Sequence, residues 1–187
     1  MKAGGAGLIA VALAFSSPFA VAGTLIDAAT RAEALRAQGK TVQALEELQA
    51  AMDKVCEGSP LAFRKVVIVD SSEGYGKFVE RADKTFKPDE KLLVYVEPVC
   101  LGAGADGAIG FKADLSVANT TGQVLGEAKD VFSVSTSGAD HFSATLSFEV
   151  PYLRPGEYKA TFAVRDSNSP RTGSFEVPFA IGLPTAN

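Results

Sequence analysis

The sequence predicts a mainly β protein: an antiparallel β-sandwich of about seven strands preceded by an α-helical hairpin. Three observations carry this. First, the C-terminal region reads as a hairpin. Tyr158, Ala160, Phe162 and Val164 fall on one face, with Lys159, Thr161 and Arg165 on the other. The turn formers of 166–173 interrupt, and Phe175, Val177, Phe179 and Ile181 resume the alternation. That two-residue period marks half-buried strands. Second, the alternation recurs at 109–117 and 142–150, and no helical run follows Pro60. Third, helical spacing of apolar residues is confined to 24–55.

Composition narrows the class of protein. The chain has 187 residues, 47% of them hydrophobic and 21% charged, which suits one folded domain with a small addition. Its net charge is -4 and no basic cluster occurs. Nucleic acid and anionic membrane surfaces are therefore excluded as expected partners.

Residues 1–22 read as a secretory leader. Lys2 gives the positive start, a short apolar run follows to Phe15, Pro18 breaks it, and Ala20-Val21-Ala22 has the small-x-small form that precedes cleavage. The apolar run is too short to anchor a mature protein, and no Cys follows it to carry a lipid. No later stretch is long and apolar enough to insert in a membrane. The expectation is a soluble periplasmic or secreted protein. In an oxidising compartment Cys56 and Cys100 can pair. The bridge would close a loop of about 45 residues, worth about 4 kcal/mol by chain entropy. Two buried, unpaired thiols are the alternative.

The elements follow in order. The Thr-Leu-Ile-Asp sequence at 24–27 is a helix start with capping oxygens. Leu25, Ala28, Ala29, Ala32 and Leu35 have helical spacing, and Gly39 is placed to end the helix. Thr41 is expected to cap a second helix with a stripe of Val42, Leu45, Leu48, Met52 and Val55. Cys56 to Pro60 stops it, so 23–60 forms a helical hairpin, expected to lie against the following domain. Residues 61–187 form the sandwich. Its expected strands are 66–69, a short edge segment at 77–81, 92–96, 109–117, a return at 124–125, another at 131–134, 142–150, and the final pair. In the third of these, Leu93, Tyr95 and Glu97 share the outer face, which implies partial cover. Pro178 suits an edge, because its missing N–H breaks no ladder there.

Strand count and turn spacing fit an immunoglobulin-like sandwich. The Leu-Arg-Pro-Gly-Glu-Tyr sequence at 153–158 resembles the entry to the penultimate strand of such domains, where a tyrosine-corner hydroxyl bonds nearby backbone. With the Phe-Lys-Pro-Asp-Glu sequence at 86–90, Tyr-Val-Glu-Pro at 95–98 and Val-Pro-Phe-Ala-Ile at 177–181, it resembles a set of uncharacterised bacterial periplasmic proteins. In those a helical hairpin precedes a β-sandwich. Antibody-type domains differ: this chain has no Trp, and its cysteines are not placed to link the second and sixth strands.

Chemistry-bearing motifs are sparse. Gly102, Gly104 and Gly107 fit G-x-G-x-x-G with Glu127 downstream, but a strand follows where dinucleotide binding needs a helix N-terminus. Asp140 and His141 lack a nucleophile-elbow serine. One His and one Met beyond Met1 argue against soft metals. Asp106, Asp166 and Asn168 supply loop oxygens without a calcium-loop pattern. Tyr75, Tyr95 and Tyr152 are the aromatics available for stacking on a sugar. No cofactor is expected.

The expected function is a non-enzymatic binding or protein-interaction domain whose partner is a protein. A sheet edge would offer backbone groups for strand addition. Tyr95, Glu97, Arg154, Glu157, Arg165 and Asp166, polar groups near strand ends, are the candidate contact residues. The alternative is a small-ligand or carbohydrate module using a cleft between hairpin and sandwich.

Overall fold

The computed structural model describes residues 19–137, 142–149 and 152–183, with side chains from residue 25 onward. Asp140, His141 and most of the leader lie outside the described residues. Two compact units divide the chain at Val55 and Cys56.

The first unit is the helical hairpin. Helix α1 spans Phe19–Ala37 and α2 spans Thr41–Glu57. The expected start at Thr24 is corrected: α1 already runs through it, because backbone N-terminal to Thr24 supplies the carbonyls that a cap would otherwise replace. Gly39 ends α1 as expected. At φ 74° it takes the left-handed conformation that costs glycine little. Its N–H donates to the Arg36 carbonyl at 3.0 Å, and the Lys40 N–H to the Leu35 carbonyl at 3.0 Å. This pair of bonds is a Schellman motif. The Ala44 N–H reaches the Lys40 carbonyl at 3.1 Å, so Lys40, not Thr41, occupies the N-cap. Among the described residues, Ala28, Ala32 and Ala44 are the buried side chains of the unit, and the Arg31–Glu47 ion pair at 2.9 Å links the helices. The five-residue stripe on α2 is exposed along its whole length, from Val42 at 70% to Val55 at 47%.

The second unit contains two sheets. Its strands are β1 Ala62–Gly74, β2 Lys77–Glu80, β3 Thr85–Phe86, β4 Leu92–Val99, β5 Ala108–Asn119, β6 Val124–Ser137, β7 Ala144–Phe148, β8 Gly156–Asp166 and β9 Thr172–Ile181. One sheet has the order β2-β1-β4-β7, the other β3-β9-β8-β5-β6. All pairings are antiparallel except β3 with β9. The alternating residues of β4, β5, β7, β8 and β9 form the core as their period requires. Phe162 is at its centre, stacked on Phe175 at 4.7 Å and edge-on to Phe148 at 5.5 Å.

Three strands differ from expectation. β1 is longer than 66–69, because its polar half pairs with β2 through bulges. The segments 124–125 and 131–134 are one strand, β6, whose pairing with β5 is interrupted by two register shifts. β3 has two residues, held by the buried Phe86 ring and by bonds from the Ala180 N–H to the Lys84 carbonyl at 3.0 Å and the Gly182 N–H to the Phe86 carbonyl at 2.8 Å. Because β3 pairs only with Ala180 and Ile181, Pro178 lies on a stretch of β9 free on that side.

The two cysteines are bonded, with S–S 2.08 Å and Cα atoms 5.1 Å apart. Cys100 follows β4, and its carbonyl accepts from Arg171 Nη1 at 2.8 Å. The loop behind it is stitched to the β8–β9 turn. Asp166 Oδ2 accepts from the Gly102 N–H at 2.7 Å and the Ser169 hydroxyl, and Oδ1 from the Asn168 N–H at 3.0 Å. Asn168 Nδ2 donates to the Gly102 and Ala108 carbonyls, each at 2.9 Å. The glycine-rich segment is thus a bonded turn leading into β5.

Replacing Cys56 and Cys100 with Ala should lower the unfolding free energy by about 4 kcal/mol, measured by chemical denaturation. An unchanged midpoint would show that the bridge contributes nothing. Tyr95→Phe should cost about 1–3 kcal/mol by the unfolding midpoint, since the buried Glu97 carboxylate loses its donor and the Gly76 N–H its acceptor. The Tyr95 hydroxyl accepts from the Gly76 N–H at 2.8 Å and donates to Glu97 Oε1 at 2.7 Å.

Candidate functional site

β5, β6 and β8 together build the most organised polar cluster on the outer face of the five-stranded sheet. Arg165 projects outward from β8, as its alternation requires, and Asp114 outward from β5. Arg165 Nη1 donates to Asp114 Oδ2 at 2.6 Å and Nη2 to Asp114 Oδ1 at 2.7 Å. Nη2 also donates to Asp130 Oδ1 at 2.8 Å. The Asp130 N–H closes the cluster on Asp114 Oδ1 at 2.7 Å. The paired N–H fork of arginine matches a carboxylate in this way.

The cluster sits on a bulge. Ala113 pairs with Phe132, and Leu115 with Ala128, so Asp114 faces residues 129–131 of β6. Such an insertion bends the strand and re-aims its side chains. Asp130 has φ 50°, a left-handed conformation that Asp tolerates better than most residues. The Arg165 hydrogen bonds, then the Asp130 N–H, hold the Asp114 carboxyl well below the ordinary carboxylate range. The two carboxylates, Asp114 foremost, raise the Arg165 guanidinium in turn.

On the far side of the bulge, β6 continues through residues 131–137 as the free edge of its sheet. Among the described residues no strand pairs with its outer side. The other edge strands are short: β2 has four residues, β3 two and β7 five, against 14 for β6. The two halves of β6 differ in kind. Residues 124–130 carry Glu127, Lys129 and Asp130, the charges by which edges resist pairing. Residues 131–137 carry no charge and no Pro. Phe132, Val134 and Thr136 face inward and are half-buried; Val131, Ser133, Ser135 and Ser137 are exposed. Gly110 of β5 lets the strands close here, since a Cβ on it would lie 2.4 Å from the Val134 carbonyl oxygen.

The six expected contact residues are dispersed. Tyr95 is fully buried, its ring tilted against Phe78 of β2 at 4.5 Å, and Glu97 is buried beside it. Burial, then the Glu97 carboxylate, raises the Tyr95 phenol. Asp166 is buried in the loop lock described above. Those three are corrected from contact residues to structural ones: they are buried, and the Tyr95 hydroxyl, Glu97 Oε1 and both Asp166 oxygens make internal bonds. Arg154 is exposed, and its carbonyl accepts from the Tyr158 hydroxyl at 2.7 Å, the expected tyrosine-corner contact. Glu157 is exposed on an open groove of about 620 Å³ within this unit, which Lys84, Asn119, Lys159 and Pro178 also line. Arg165 alone of the six belongs to the cluster. Its partners Asp114 and Asp130 were missed; the available signal was an outward Asp and an outward Arg on strands that pair. Among the described residues no group of three His, Cys, Asp or Glu side chains is placed to hold a metal ion.

The fold and cluster define a two-sheet β protein with a helical hairpin and one long open edge. No protein-family model matches the chain, and no curated protein matches it. Solved structures similar to it are distant. One is the Pseudomonas fluorescens alkylpurine DNA glycosylase AlkC bound to DNA containing an abasic-site analogue, at 11% identity and a TM-score of 0.38, covering 91% of this chain. This chain spans about half of that protein, 49%. Another is a CARDB domain from Pyrococcus furiosus in complex with di-metal ions, at 13% identity and a TM-score of 0.30, covering 67% of this chain and 95% of that one. Likeness at this level carries no argument about what this chain does.

The lowered Asp114 carboxyl makes a pH prediction. A depressed folded-state value gives stability that is present above the unfolded value of about 4 and is lost as pH falls toward the folded value. Asp114→Asn should therefore lower Tm at pH 7, and the gap to the wild type should shrink below pH of about 4. A gap that is constant down to pH of about 2 would mean the clamp contributes nothing through charge.

Proposed function

We propose that this chain is a periplasmic or secreted, non-enzymatic protein-interaction domain of immunoglobulin-like architecture that receives an extended partner strand along β6. The observation that carries this is the uncharged, unpaired half of β6 at 131–137. Strand addition needs free backbone donors and acceptors, a straight run without Pro, and no charge to repel the incoming chain. Those conditions coincide there. The leader-like pattern at 1–22 and the Cys56–Cys100 bond support the compartment. The Tyr158–Arg154 contact and the division into two sheets support the architecture.

A second reading rests on the open groove by Lys84, Asn119, Glu157 and Lys159, where a small polar ligand or sugar would bind. The resemblance noted for 153–158 and 177–181 adds no preference between the two, because its residues are structural.

The test is capture from periplasmic extract on the tagged protein, alongside a variant with Ser133→Lys and Ser135→Lys. Both sites are exposed, so the fold should tolerate the changes. The proposal expects proteins retained by the wild type and released by the variant. Equal retention by both would refute it. A small molecule retained without protein, and lost on Lys159→Glu, would favour the groove.

A further inference from the structure

We infer that one partner of β6 is a second copy of this chain, paired antiparallel along residues 131–137 about a two-fold axis at Val134. This rests on the strand-addition reading and names the occupant. A strand serves as its own antiparallel partner when residues equidistant from its centre are compatible, since a two-fold places each opposite the other. About Val134, Ser133 falls opposite Ser135 of the second copy, Phe132 opposite Thr136, and Val131 opposite Ser137. No pair brings charge against charge. The opposed serine hydroxyls of Ser133 and Ser135 can each donate and accept, and Phe132 opposite Thr136 sets an aromatic ring against a β-branched side chain.

Inward faces match as well. Phe132, Val134 and Thr136 are half-buried where the other strands of the sheet bury their inward residues. Phe132 already packs on Phe162 at 5.9 Å and stays half-buried at the sheet edge, where no described strand pairs beyond β6. A second copy would cover Phe132 with Thr136 and Val134 with Val134, equally on both sides. Two five-stranded sheets, five and five, would then run as one of ten strands. The clamp limits the overlap. Beyond it, Asp130 at φ 50° turns the strand, and residues 127–130 carry the charges that end the pairing. A heterologous strand would need only a free edge. The two-fold match around Val134 is what singles out a second copy.

The test uses the full chain, expressed with export and purified from the periplasm. Sedimentation velocity over a concentration series should show the mass doubling for the wild type. Ser133→Lys with Ser135→Lys should stay at monomer mass, with its circular dichroism and unfolding midpoint at low concentration unchanged. Cross-linking fixes the register. Ser133→Cys mixed with Ser135→Cys should give a disulfide dimer faster than either variant alone, because those positions oppose each other across the axis. A dimer without this preference would overturn the inference, since the contact would lie elsewhere. A monomer at every soluble concentration would overturn it too. In that event, proteins captured by the wild type and released by the lysine variant would leave the strand-addition reading standing. With no such capture, both would fall.

Discussion

The arrangement of this sheet depends on one guanidinium. Arg165 on β8 reaches across β5, holds both oxygens of Asp114 and still has a donor for Asp130 on β6. Three strands are therefore tied at the point where β6 takes its extra residues. A non-glycine residue in the left-handed region costs about 1–2 kcal/mol, and the bonds to the side chain and N–H of Asp130 offset that. Without them the bulge would have less reason to stay at residues 129–131. A one-residue slip there would reverse the faces of everything beyond it, sending Phe132 and Val134 outward and serines into the core. The clamp thus specifies which backbone groups face solvent along the open edge.

A similar economy governs the next residue of β8, the last of the strand. Asp166 closes that strand with a buried carboxylate bonded to Gly102, Asn168 and Ser169. Arg171 joins the turn to Cys100, and so to the disulfide. Successive polar residues of β8, Arg165 and Asp166, point to different places and do different work. The first orders the sheet surface, and the second ties the loop after β4 to the β8–β9 turn. Their adjacency in sequence gives no hint of this, because alternation sends neighbours to opposite faces.

The strands whose apolar residues alternate without interruption were legible. The core faces of β5, β8 and β9 follow Phe111, Phe162 and Phe175 with their neighbours, and the glycine at 39 ended its helix as its conformation predicts. Pairing of Cys56 with Cys100 was legible as a possibility and needed geometry to settle it. β6 was not legible as one strand, because two register shifts interrupt it and residues 126–130 between its apolar stretches are small or charged. Tyr95 and Glu97 misled for a related reason. Partial cover of their face was legible, but not that the bulged β1–β2 hairpin brings Phe78 and Gly76 onto it and takes up the Tyr95 hydroxyl. On α2 the stripe of Val42, Leu45, Leu48, Met52 and Val55 was read correctly as a stripe, but its exposure could not be read from spacing. The clamp was hidden for the plainest reason: Asp114, Asp130 and Arg165 come together only through strand pairing.

Residue-resolved amide hydrogen exchange in dilute protein tests the central claim most directly. A strand paired on one side only has N–H groups alternately bonded to its neighbour and open to water. From Phe132 to Ser137, slow and fast amides should alternate every second residue, with Asp130 slow because its N–H is bonded to Asp114. Uniform protection would mean the edge is already covered within one molecule, and uniform fast exchange would mean no strand exists beyond the bulge. Either result would contradict the account.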